Sequence, residues 1–271
     1  MADGSVVVTG AASGIGSATA AVLAEGGREV VSLDVREPTA AVAVHHHCDL
    51  SDPDSIDATV ARLHGPIAAL VNVAGVPGTV GPELTMRVNF LGLRHLTEAV
   101  LPMLADGGAV ANVSSIAGNT WRKRRDLHRE LLATADFGAG LDWWNGHCDS
   151  VGTDHYTFSK EAVVVYTMAT AGAALERRIR CNDVGPGPVD TPILADFRTV
   201  VGDEQMSWII SQTGRAAQPS DVAEVLAWLA VGPCHWVNGQ HLVVDGGFTS
   251  GVTAGWVDRT GAPAARSRDH W

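Results

Sequence analysis

A run of β-branched residues, Val6-Val7-Val8-Thr9, passes without a polar break into Gly10-Ala11-Ala12-Ser13-Gly14-Ile15-Gly16, and the alanine-rich stretch Ile15–Glu25 follows. A strand that is apolar at every position is buried on both faces. A helix entered through one glycine turn carries the chain back over the sheet. The alternation recurs along the sequence. Glu29–Leu33, Ala41–Val44 leading to Cys48, Ile67–Val73, Ala109–Val113, Ile179–Val184 and His241–Asp245 read as strands. Asp52–Leu63, Met86–Leu104, Thr153–Arg177 and Asp221–Ala230 read as helices, the first with Ser51 as its expected N-cap and Pro53 in its first turn. This pattern predicts an α/β fold: a doubly wound parallel sheet with helices on both faces. The 271 residues suit one large domain over residues 1–250, since no internal repeat or low-complexity linker divides them. Residues 119–152 break the rhythm, carrying two amphipathic segments that predict a helical insertion. Residues 251–271, rich in Gly, Ala and Arg, read as a loosely packed arm.

Composition narrows the function. A net charge of −11 argues against nucleic acid as a partner. No apolar run reaches the roughly 18 residues of a membrane span, so no membrane association is expected. The start, Met1-Ala-Asp-Gly-Ser-Val, lacks the basic and apolar regions of a signal peptide. Cys48, Cys148, Cys181 and Cys234 are scattered with no CxxC pair, which suits free thiols in a reducing cytoplasm and excludes a zinc or disulfide framework. No metal site is expected either. His45-His46-His47 lies in a strand-like stretch, where neighbours point to opposite faces and cannot chelate together. Arg122–Arg125 reads as a solvated helix face.

Two constellations carry chemistry. The first is the glycine turn. A strand–turn–helix junction aims backbone N–H groups and a positive helix end at a pyrophosphate, and glycines permit the close approach. Gly10, Ser13, Gly14, Ile15 and Gly16 are therefore candidate cofactor-binding residues. Asp34 ends the second strand, where a carboxylate accepts hydrogen bonds from ribose hydroxyls and repels a 2′-phosphate. That favours NAD (NADH) over NADP, although Arg36 lies close enough to leave the choice open. The second constellation is Tyr156-Thr157-Phe158-Ser159-Lys160, a phenol and an ammonium on one helix face. With two tyrosines and two lysines in the chain, chance seldom sets one of each at this spacing. A cation near Tyr156 would favour its phenolate and make it a usable proton acceptor from an alcohol.

These motifs together resemble the short-chain dehydrogenase/reductase (SDR) family. Its glycine motif appears as Thr9-Gly10 with Gly14-Ile15-Gly16. Its Asn-Asn-Ala-Gly motif appears as Asn72-Val73-Ala74-Gly75, with Val73 for the second Asn. Further matches are Asp49-Leu50, Asn89, the serine strand Asn112–Gly118, Asn182, Pro186-Gly187 with Val189 and Thr191, and Val243–Gly247. The resemblance spans residues 5–248 in order and implies a Rossmann-type domain. It implies Asn89, Ser115, Tyr156 and Lys160 as the catalytic set. Ser115 binds the substrate oxygen, Tyr156 exchanges the proton, Lys160 holds the nicotinamide ribose, and Asn89 supports a water chain. Serine 115 is chosen over Ser114 by its distance from Gly118. The resemblance adds Asp49, Leu50, Asn72, Ala74, Gly75, Val189 and Thr191, with Tyr156 and Lys160, to the cofactor-binding set. Gly185 stands where a larger small residue is common, and is expected to widen the floor of the site.

Ser115 and Tyr156 are further apart than is usual in the family, and the extra residues resemble a subgroup containing 3α-hydroxysteroid dehydrogenase/carbonyl reductase and coniferyl alcohol dehydrogenase. The implied activity is interconversion of an alcohol and its aldehyde or ketone. The expected substrate is an aryl (allylic or benzylic) alcohol or aryl ketone, with a 3α-hydroxysteroid as the alternative. Trp143, Trp144 and Trp208 are candidate substrate-pocket walls; equally, they anchor the insertion to the body or to a partner subunit. A homodimer through 221–245 is expected, with a tetramer as the alternative. A non-catalytic NAD-sensing regulator would be expected to lose the Tyr or Lys. An enoyl reductase needs a longer Tyr–Lys spacing, and too few residues follow Asp190 for an epimerase or dehydratase domain.

Overall fold

In the computed structural model, which describes residues 3–263, the strand readings assemble into one sheet. In chain order the elements are β1 (Ser5–Thr9), α1 (Gly14–Glu25), β2 (Val30–Asp34), β3 (Val44–His47), α2 (Pro53–Val60), β4 (Ile67–Asn72), α3 (Pro82–Met86), α4 (Leu93–Val100), β5 (Leu104–Val113), α5 (Arg125–Leu132), α6 (Phe137–His147), α7 (His155–Ala173), β6 (Arg180–Pro186), α8 (Leu194–Val201), α9 (Asp203–Gln212), α10 (Pro219–Val231), β7 (His241–Val244) and α11 (Phe248–Ala254). The seven strands are all parallel, in the order β3-β2-β1-β4-β5-β6-β7.

Alternation within each strand builds two cores. Val6, Val8, Ala69, Val71 and Ala111 face α1 and α10, and pack on Leu23, Val222 and Leu226. Val7, Leu33, Leu70, Val110 and Cys181 point the other way, toward Ile56, Leu96, Val100 and Ala171. A third cluster, centred on Phe158, Phe90 and Trp144, joins the insertion to α7. The strand order reverses between β1 and β4, and their C-terminal ends open the crevice where open α/β sheets bind ligands.

Several local readings are revised. Asp52, not Ser51, caps α2, because its carboxylate accepts from the Asp54 N–H while the Ser51 N–H is spent on Asp49. The stretch read as one helix, Met86–Leu104, contains a π-helical turn at Arg87–Gly92, and its last residue opens β5. A Cβ on Gly92 would lie 2.0 Å from the Leu50 carbonyl oxygen, so this turn needs glycine to approach the cofactor-side loop. Where a loose arm is expected, Phe248–Ala254 is helical, and Phe248 and Val257 are buried with Ile116 and Ile209. Residues 264–271 of that expected arm lie outside the described residues. Among the described residues no helix is long and apolar enough to cross a membrane, and no group of three His, Cys, Asp or Glu side chains could hold a metal ion.

Candidate active site

The cleft at the β1/β4 switch point is lined by Gly10, Ser13, Gly14, Ile15, Gly16, Asp34, Asp49, Leu50, Ala74, Gly75 and Thr191. Its backbone is packed to the limit that glycine allows. A Cβ on Gly16 would meet the Gly10 carbonyl oxygen at 2.1 Å, and Gly10 itself has φ +70° and abuts the Ala74 backbone. The Thr9 hydroxyl ties the two strand ends together by accepting from the N–H groups of Val73 and Ala74 at 2.9 and 3.0 Å. Asp34 is buried at the far end, its carboxylate accepting from the N–H groups of Ala12 and Arg36. The Arg36 guanidinium donates to Ser13 Oγ across the rim of the cleft.

The cleft continues past Ile15, Val189 and Thr191 to Ser115, Tyr156 and Lys160. Asp154 caps α7 by accepting from the Thr157 N–H, which places Tyr156 in the first turn and Lys160 one turn further along the same face. Lys160 is buried, donates to the Val113 carbonyl at 3.2 Å, and lies 5.8 Å from the Tyr156 ring centre. Burial drives its ammonium down to about 8, opposed by the charge of Asp183. Burial also pushes the Tyr156 phenol above its ordinary range, and a hydrogen bond with Ser115 is the group that pulls against it. Gly75 leaves room for two of the candidates at once: a Cβ there would sit 3.3 Å from Asn89 Oδ1 and 3.4 Å from Lys160 Nζ. Asn89 projects from the π-helical turn with both amide N–H groups bonded. It accepts from the Val76 N–H, donates to the Val76 carbonyl, and donates to Ser159 Oγ.

Beyond Ser115 and Tyr156 the cleft opens into a cavity of about 220 Å³, lined among others by Ile116, His155, Pro188, Phe197, Val200 and Met206. Phe197 from α8 meets the Tyr156 ring edge-on at 5.0 Å, and Asp196 beside it accepts from Thr79 across the cavity mouth. Sequence pattern did not single out Phe197 or Met206, because their place depends on how α8 and α9 fold over the site. Their only signal was membership of the segment after Thr191.

Other candidates lie elsewhere. Trp144 is buried against Phe158, Trp143 stacks on His147 and Phe158, and Trp208 packs on Phe248; none of the three lines the cavity. The anchoring alternative fits Trp143 and Trp144, since Phe158 belongs to α7. Asn72 is buried away from the cleft, donating to Thr97 and Asn112, so it knits β4 to β5 and α4. Asn182 holds the 237–240 turn through the Val237 carbonyl and the Gln240 N–H. The space at Gly185 is filled rather than opened: a Cβ there would lie 2.5 Å from the His241 ring. Arg122–Arg125 is no uniform solvated face, because Arg124 turns inward to Glu161.

Comparison with known proteins agrees with this architecture. The family model described as short chain dehydrogenase matches residues 5–125, and one described as Enoyl-(Acyl carrier protein) reductase matches residues 146–249. The chain is 39% identical to a coniferyl-alcohol dehydrogenase of Pseudomonas sp. (strain HR199 / DSM 7063), over 90% of this chain and 96% of that one. It is 29% identical to a 3-alpha-hydroxysteroid dehydrogenase/carbonyl reductase of Comamonas testosteroni, over 90% and 95%. The 3-alpha-hydroxysteroid dehydrogenase from Pseudomonas sp. B-0831, solved in complex with NADH, superposes with a TM-score of 0.78 at 27% identity, covering 94% of this chain and 100% of that one. The chain belongs to the short-chain dehydrogenase/reductase family, and is an oxidoreductase of that type.

Proposed function

We propose that the protein is an NAD-dependent alcohol dehydrogenase or carbonyl reductase acting on an aryl alcohol, allylic or benzylic, or on an aryl ketone. The observation that carries this reading is the junction at Tyr156. One phenol borders both the glycine-lined cleft and an apolar cavity, with Ser115 beside it. The cleft residues fit a dinucleotide. The helix α1 begins at Gly14, whose Cβ position faces Thr191 across the cleft, and Asp34 stands where ribose hydroxyls need an acceptor. Gly10, Ser13, Gly14, Ile15 and Gly16 would hold the pyrophosphate, Asp34, Asp49 and Leu50 the adenosine half, and Ala74, Gly75, Val189, Thr191 and Lys160 the nicotinamide half. NAD bound there supplies the hydride acceptor, or as NADH the donor, and in its oxidised form a positive charge.

The chain's own groups handle the oxygen and the proton. Ser115 and Tyr156 both reach the cavity, so both can hydrogen-bond one substrate oxygen. Burial keeps the Tyr156 phenol in its protonated form, the form that can donate to a carbonyl, while making that proton harder to release. In the opposite direction the Lys160 ammonium and the positive charge of the oxidised cofactor favour its deprotonation. Asn89 fixes the loop at Val76 and, through Ser159, the first turn of α7. These bonds make it a holder of this geometry.

The cavity supports the substrate class. Its lining is largely apolar, and about 220 Å³ lies below the roughly 300–1,000 Å³ usual for drug-sized ligands. A one-ring alcohol suits it better than a four-ring steroid. The coniferyl-alcohol relative points the same way. Free thiols at Cys48, Cys148, Cys181 and Cys234 suit a reducing cytoplasm. Two copies would pair through α10 and β7, where Trp228 and Val243 are exposed and Trp236, between the two elements, is 100% exposed; light scattering reads the assembly. The activity test is NAD⁺ reduction with coniferyl-type, benzylic and 3α-hydroxysteroid alcohols, repeated with NADP⁺. Turnover of the first two with NAD⁺ is expected. Steroid preference would overturn the substrate class, and NADP⁺ preference would overturn the role of Asp34 in favour of Arg36.

A further inference from the structure

Beneath Ser115 lies a second polar cluster that the proposed reaction does not use. Asp183 on β6 and His241 on β7 are register partners in neighbouring strands. Asp183 is fully buried. Its Oδ1 accepts from the Ser114 hydroxyl and lies 2.6 Å from His241 Nδ1. The other ring nitrogen, Nε2, lies 2.8 Å from the Asn119 side-chain oxygen, and the ring fills the space at Gly185. Asp183 Oδ2, by contrast, is buried and makes no hydrogen bond. A buried carboxylate oxygen without a donor is costly unless a nearby positive charge compensates it.

The placement of that charge follows from the strands. Cys181 bonds to Asn112, which donates to Thr167 of α7, so alternation along β6 puts Asp183 on the α7 face of the sheet. Lys160 descends from α7 to the Val113 carbonyl, one residue before the Ser114 that binds Asp183. Other charges on elements packed against α7 are committed elsewhere: Arg124 and His128 to Glu161, and Arg87 to Glu83 and the Ser51 carbonyl. Tyr156 on the same helix and Cys181 on β6 are both held protonated, chiefly by burial. His155 and Tyr166 on α7 are bonded to the Gly78 and Arg94 carbonyls, Arg180 on β6 donates to Cys234, and His241 faces Asp183 from β7.

We propose that Asp183 is the buried counter-charge of Lys160, fixed by Ser114 and His241, and that it is a positioning residue which keeps that ammonium protonated beside Tyr156. It touches neither substrate nor cofactor. The burial that discharges Lys160 is opposed by the Asp183 charge, and the same charge raises the Cys181 thiol. The proposal rests on the acid–base reading of Lys160, but its test does not need turnover.

Two lysines make the test direct. Biosynthetic labelling with ε-¹³C lysine gives two side-chain NMR signals, one from Lys160 and one from exposed Lys123. In Asp183→Asn the Oδ1 acceptor is retained, and an amide replaces the oxygen that had no donor. The Lys160 midpoint is expected to fall by about one pH unit, a tenfold loss of the protonated form at a fixed higher pH, while Lys123 stays where it is. An unmoved Lys160 midpoint in a folded variant overturns the proposal. Should Asp183→Asn alone fail to fold, the double variant Asp183→Asn/His241→Gln removes both partners together, with the same expectation and the same refutation. Failure of the alcohol screen with a shifted midpoint would reject the enzymatic reading and leave this coupling intact.

Discussion

Lys160 and Glu161 are neighbours on α7, both buried, and opposite in sign and in treatment. Glu161 faces the insertion. It accepts from Thr120, from Arg124 through two nitrogens, and meets His128 Nε2 at 2.9 Å. Burial works against its carboxylate, but the bonds from His128, Arg124 and Thr120 more than offset this and hold it below its ordinary range. Lys160 faces the cleft with one hydrogen bond, to a backbone carbonyl, and burial lowers its ammonium. A saturated charge is a fastener, since every partner must be lost together. An ammonium with donors to spare is poised to bind something else. One helix thus carries the anchor of the insertion and the ammonium of the cleft on adjacent positions that point in different directions.

The comparison can be broken by exchanging either residue. Lys160→Met should lower kcat by about 10²–10⁴-fold while moving the urea midpoint little, because removal of a buried charge offsets the counter-charge it strands at Asp183. A large stability loss in that variant would make Lys160 a fastener as well. Glu161→Ala should do the reverse at first hand, costing about 3–5 kcal/mol of stability by leaving Arg124 and His128 unpaired. Circular dichroism melting reads it, and an unchanged melt would show that the insertion is held by its aromatic contacts alone.

A smaller effect separates the two by pH. For Lys160, between its folded value of about 8 and its ordinary 10.5, the unfolded chain keeps a proton that the folded protein has released. Stability of the parent should therefore rise with pH through this window relative to Lys160→Met, and run parallel to it below. For Glu161 the stabilisation is present above its ordinary 4.5 and is lost as pH falls through the lowered folded value. Denaturation of parent and variant across both windows checks the signs. The mildest contrast is between aromatic side chains. Phe197→Ala should raise KM for aryl alcohols several-fold, whereas Trp143→Ala should leave KM unchanged and lower the melting temperature by a few degrees. Equal effects on KM would return the insertion to the pocket wall.

The strands, the glycine turn and the Tyr156–Lys160 pair were legible in the sequence because each is a local pattern: apolar runs, a turn between strand and helix, a one-turn spacing. The helical nature of the insertion was legible for the same reason. Its direction of packing was not. Whether Trp144 faces a cavity or Phe158 depends on the path of the whole connection, which periodicity does not encode. Asn72 and Gly185 differ again. Asn72 matches a motif position and Gly185 departs from one, yet what each touches is decided by residues distant in the chain, Thr97 for one and the His241 ring for the other. Phe197 entered the site only through the fold of α8 over Tyr156. The Ser51 cap lost to Asp52 by one residue, since both are good caps and only the chain path at Asp49 separates them.

The scarcity of lysine has a practical consequence at the surface. Lys160 is buried in the wall of the cleft, while Lys123 stands exposed at the start of the insertion. Activated esters and aldehydes therefore meet one accessible side-chain amine, apart from any terminal one. Among the side chains, a dye, a bead or an acyl group will attach at Lys123, with the buried Lys160 ammonium shielded from the reagent.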